Sequence, residues 1–102
     1  MRRPVSRREF DEPKAEWKAD TAMFSSASKR AKHSAYRKII DMGMAVVPFI
    51  MADLKQEPEH WFIALREITG ANPVKPGHRG AVGLMAGDWV RWWEKNSSEQ
   101  LR

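Results

Sequence analysis

Apolar residues along this chain recur at the three- and four-residue spacing of a helix, and nowhere in the alternation of a half-buried strand bounded by hairpin signals. Asp11 can cap a first helix whose opening turn tolerates Pro13, and Trp17, Thr21 and Phe24 then share one face. Ser25, Ser26, Ala27 and Ser28 interrupt the pattern. Ser34 is placed to cap a helix that brings Tyr36, Ile39 and Ile40 together, and Gly43 ends it as a left-handed residue past the last turn.

From Met44 to Gln56 apolar side chains fall on nearly every side, the pattern of a helix enclosed by its neighbours. Pro48 suits the first turn of such a helix, which sets its start near Ala45. Pro58 opens the next helix, with Glu57 and Glu59 at its positive end and Gly70 closing it before Asn72 and Pro73. Trp61, Ala64, Leu65 and Ile68 form its inward stripe, with Phe62 and Thr69 on the flank and Ile63 on the far side. Residues 72–80 are rich in turn formers and predict a loop. A final helix from about Gly80 to Lys95 turns Val82, Met85, Ala86, Trp89, Val90 and Trp93 inward and Asp88, Arg91, Glu94 and Lys95 outward.

The expectation is an all-α fold, a small bundle of about five helices over residues 11–96. Residues 1–10 carry no apolar period and read as a flexible basic arm, and residues 97–102 read as a fraying tail. A chain of 102 residues buries roughly two thirds of its unfolded surface, enough for one modest core. Cysteine is absent, which excludes disulfides, thiolate nucleophiles and zinc–thiolate sites and leaves packing to hold the core. The longest apolar run, Met42 to Leu54, is broken by Pro48 and Asp53 and is too short to span a membrane. The basic start is followed by Glu9, Asp11 and Glu12 where a signal peptide needs an apolar stretch, so a cytoplasmic protein is expected.

The stretch Tyr36 to Leu54 resembles the helix, glycine turn, Ala-Val-Pro and second helix of a HEAT-type repeat, with Pro58 beginning the next unit. His33 to Gly43 and Pro58 to Pro73 also resemble, as His-x-x-Tyr-x-Lys-Ile-Ile-x-Met-Gly and Pro-x-His-Trp-Phe-x-Ala-Leu-x-x-Ile-Thr-Gly-x-x-Pro, stretches shared by a group of small bacterial proteins. These resemblances imply a HEAT-like central hairpin and no particular activity.

The formal charge of +5 and a pI near 9.9 favour acidic partners. Two function classes follow. In the first, a non-enzymatic helical module binds another protein, one with an acidic face, through Phe62 and Ile63 or through Trp92 beside Arg91, a pairing typical of interface hot spots. In the second, Arg2, Arg3, Arg7 and Arg8 of the arm and Lys29, Arg30 and Lys32 of a stretch without carboxylates contact a phosphate backbone. His33, His60 and His78 lie on separate segments without metal-ligand spacing, so no metal and no cofactor are expected. His60 beside Glu57 or Glu59 has the makings of a general base, but no nucleophile accompanies it, and a capping or rim role suits it better. Gly83 and Gly87, on the outward side of the last helix, either leave room for another backbone or simply weaken the helix, two readings of equal standing.

Overall fold

Ser6 starts the first helix, five residues before the expected cap at Asp11. In the computed structural model, which describes residues 5–100 apart from the side chains of Glu59 and residues 97–100, α1 runs Arg7–Asp20. The Ser6 hydroxyl accepts from the Glu9 N–H at 3.2 Å and the Glu9 carboxylate accepts from the Ser6 N–H at 3.3 Å, a reciprocal capping box. Residues 7–10 are therefore helix and not arm, and Phe10 is fully buried. Pro13 consequently sits mid-helix, where it forgoes a hydrogen bond to the Glu9 carbonyl.

Thr21 caps α1 at its other end, so Phe24 leaves the face it was expected to share and is 43% exposed. A short helix, α2 (Ala27–Ala31), follows with Ser26 as cap, in the segment expected to break the pattern. His33, not Ser34, caps α3 (Ser34–Asp41): its Nδ1 accepts the Ala35 N–H at 3.0 Å. Gly43 and Gly70 take the left-handed conformations expected of residues past a helix end, with φ of 67° and 71°. A 3₁₀ turn (Gly43–Val46) leads into α4 (Val47–Leu54), with Pro48 in its first turn as expected.

The single helix expected from Pro58 is divided. A 3₁₀ turn (Pro58–His60) precedes α5 (Phe62–Thr69), and Trp61 lies between them. The reason is tertiary: Trp61 is drawn to the centre of the core, 5.5 Å from the ring centres of Phe10 and Trp17 and stacked on Tyr36 at 5.6 Å. Trp61 offers no capping side chain, and Tyr36 on α3 supplies the cap. Its hydroxyl accepts the Ala64 N–H at 3.1 Å and donates to the His60 carbonyl at 2.8 Å. One phenol thus satisfies a first-turn N–H that has no partner within its own helix.

α3 packs chiefly against α1 and then α5, while α4 lies against the flanking 3₁₀ turns and α6 (Val82–Gln100). The second helix of the HEAT-like stretch is thus not the main packing partner of the first. Charged side chains of α1 fasten the end of α4 and the turn after it: Lys14 pairs with the buried Asp53 at 2.5 Å and Lys18 with Glu57 at 2.5 Å. Across the bundle Arg37 of α3 holds Glu67 of α5 by two hydrogen bonds of 2.8 Å. The fold is all-α, with five helices of eight residues or more and no strand among the described residues. No described helix is long and apolar enough to cross a membrane.

Candidate functional site

With Trp61 buried, the next two residues emerge at the edge of the core. Phe62 and Ile63 are both half-buried, and Ile63, expected on the far side, packs on the core margin. Ile63 forms a ridge at which three depressions meet. The first, about 430 Å³, lies between α5, the 71–81 loop and α6, with Phe62, Ile63, Val74, Met85 and the ring of Trp89 as its apolar surface. Asn72, Arg66 and Arg79 supply its polar edge. The second, about 170 Å³, is shared with Trp17, Arg30, Tyr36 and His60. The third, about 350 Å³, continues past Arg66 to Gly70 and Ala71.

Arg66 and Arg79 are exposed and neither pairs with a carboxylate among the described residues. Arg66 follows Phe62 by four residues and Ile63 by three, which puts all three side by side on α5. Sequence spacing therefore held a signal for Arg66. Nothing local pointed to Val74, Arg79 or Met85, which only the folding of the loop onto α6 brings to the groove.

Asp88 fixes that loop. Helical phase turns Asp88 outward on α6, but the loop folds over it and leaves it 4% exposed. Its carboxylate accepts from His78 Nδ1 at 2.7 Å, from the Lys75 N–H at 3.1 Å and from Arg91 at 2.6 Å. Burial pushes this carboxyl up, yet the hydrogen bonds from His78, Lys75 and Arg91 outweigh it and hold it at about 2. An Asp–His pair of this kind can orient an imidazole for proton transfer. Here His78 lines none of the three depressions around Ile63, and the pair serves to anchor the loop.

Arg91 folds back along α6 to reach Asp88, over Gly87, where a Cβ would meet its guanidinium at 3.3 Å. The space at Gly87 belongs to Arg91, not to an approaching backbone, whereas Gly83 faces open space. Trp92 is half-buried and stands edge-on to Trp89 with ring centres 5.6 Å apart. Neither Arg91 nor Trp92 lines the groove, so the structure does not join the two pairs of expected partner-binding residues in one site.

The basic residues are dispersed as well. Arg2 and Arg3 lie outside the described residues. Arg7 pairs with Asp11 and lies over the rings of Phe10 and Phe49, and Arg8 pairs with Glu12 at 2.8 Å. Arg30 donates to the Phe24 carbonyl at 2.9 Å. Lys29 and Lys32 are exposed on and just after α2, without a carboxylate partner among the described residues.

The histidines remain apart. His33 donates from Nε2 to Asp20 at 2.9 Å, His60 lies between Trp17 and Glu57, and His78 is held by Asp88. No group of three metal-binding side chains occurs among the described residues. Burial pushes the Tyr36 phenol well above its ordinary value, which keeps it protonated in its capping role. Comparison of the chain with protein-family models, with curated proteins and with solved structures finds no match.

Proposed function

We propose that this chain is a cytoplasmic, non-enzymatic helical module that binds another protein through the groove between α5 and α6. The observation that carries the reading is Ile63, an aliphatic side chain left half-buried where three depressions converge, with Phe62 beside it. At most about a third of either side chain meets solvent, so completing their burial against a partner contributes at most about a third of the 1.5–3 kcal/mol of a full burial, about 0.5–1 kcal/mol each. The apolar surface continues on α6, where Val82 is 36% exposed and shares a face with Met85. Arg66 and Arg79 at the edge suit a partner with an acidic face.

A photo-crosslinking amino acid at position 63, with one at Glu12 as a remote control, tests this in cells of the native host. The expected result is one adduct specific to position 63 that disappears when Phe62→Ser is introduced alongside. Equal labelling at both positions, or none at 63, would overturn the proposal.

A second reading, contact with a phosphate backbone, draws support, among its described residues, from Lys29 and Lys32, whose charges no described carboxylate offsets.

A further inference from the structure

Resting on the groove as the docking surface, we infer that the segment it receives is an acidic peptide with one bulky apolar anchor. A space of about 430 Å³ sits at the lower end of the range that encloses a drug-sized ligand, which fits one large side chain with its flanking backbone and not a whole helix. Its walls are Phe62, Ile63, Val74 and Met85, and its only charged groups are Arg66 and Arg79. The other described arginines hold partners within the chain, Arg37 on Glu67 and Arg91 on Asp88 among them. Arg66 and Arg79 keep their planar donor sets available beside an apolar pocket, the arrangement that selects a carboxylate next to an apolar side chain.

Nucleic acid would need a continuous basic track with aromatic faces on which bases stack. Two arginines beside a mainly aliphatic pocket do not provide it. Trp89 closes the floor, fully buried, with an indole N–H that has no hydrogen-bond acceptor among the described residues. That N–H makes a local reporter, because an occupant of the groove presses on the side chains that cover the ring and shifts its resonance.

The test is a titration of ¹⁵N-labelled protein with capped hexapeptides in which four Glu flank a central pair of Ser with one of Leu, Phe, Met or Trp. Shifts are expected in amides of residues 62–66, 72–79 and 82–89 and in the Trp89 indole. The double substitution Arg66→Ala with Arg79→Ala, both at exposed positions, should leave the melting temperature unchanged and weaken binding at least about tenfold. Lys-flanked peptides and a Gly-Ser centre should each lose at least about as much.

No shift at millimolar peptide, equal binding of the Lys-flanked set, or indifference to the arginine substitutions would each overturn the inference. So would tighter binding of decanoate or of a single-stranded oligonucleotide at the same residues. Failure of the peptides alongside a specific adduct at position 63 removes the acidic-anchor chemistry and leaves the docking surface standing. Failure of both removes the groove.

Discussion

His78 donates its Nδ1 hydrogen to the buried carboxylate of Asp88 at 2.7 Å, binding a loop to the helix that follows it. Lys75 adds its backbone N–H and Arg91 its guanidinium, so one carboxylate accepts from three donors. Arg79 and Val74, on the same loop, owe their place at the groove to that anchor.

Asp88→Asn should therefore lower the melting temperature at neutral pH and broaden the amide signals of residues 72–79. The pH dependence has a definite sign. In the folded state this carboxyl titrates at about 2, below its ordinary 3.8, so the native state binds fewer protons. The stability it contributes is present above pH 3.8 and is lost as pH falls towards 2. Thermal melts from pH 6 to 2 should show the gap between wild type and Asp88→Asn closing over that window, and a constant gap would refute the assignment.

Tyr36→Phe removes the hydroxyl that caps α5 from α3. It leaves the buried Ala64 N–H without its acceptor, at a cost of about 2 kcal/mol. Urea unfolding measures the loss, and faster hydrogen exchange should appear first at Ala64.

Trp61→Ala should cost about 3–5 kcal/mol, a large share of a small domain's stability, because the side chain is fully buried among Phe10, Trp17 and Tyr36. A melting curve within a degree or two of wild type would contradict its place at the centre of the core.

Trp92→Ala should cost less, about 1–2 kcal/mol, since the side chain is only partly buried and its main aromatic contact is the edge-on approach to Trp89. Peptide binding at the groove should not change. A tenfold or greater loss of that binding would place the partner surface at Trp92 instead.

A salt titration separates the two functional readings. Binding to a protein segment that buries apolar side chains should weaken by less than about tenfold between 50 and 200 mM salt, whereas contact with about six phosphates predicts a loss of about a thousandfold. Lys29→Glu with Lys32→Glu should leave groove binding intact.

Wherever a local rule sufficed, the sequence could be read directly. Helical spacing led to an all-α fold, to the inward positions of Trp61, Tyr36 and Trp89, and to glycine at two helix ends, since each depends on residues within a turn or two. The start of α1 was equally local: Ser6 and Glu9 stand at capping-box spacing, but the arginines around them suggested an arm. Phe62 and Ile63 were visible as candidates because the phase of Trp61 keeps both out of the inward stripe, Phe62 on its flank and Ile63 on the far side, and only the packing of α5 brought Ile63 to the core margin.

The remaining features depend on what other segments cover, and helical phase carries no information about that. Asp88 faces outward from α6 by phase and is buried only because the loop returns over it with three donors. Arg7 and Arg8 are the exception, since their partners Asp11 and Glu12 stand four residues on in α1 itself, and they read as free charge only because the start of that helix was missed. The groove exists only once the loop, α5 and α6 meet, so its volume and its two unpaired arginines are tertiary properties. The sequence by itself determined the inward stripes around Tyr36, Trp61 and Trp89 and the glycine stops after α3 and α5, because those choices are made within about four residues. Which polar groups become buried, and which cations stay free to meet a partner, was decided by contacts between segments ten or more residues apart, such as His78 with Asp88.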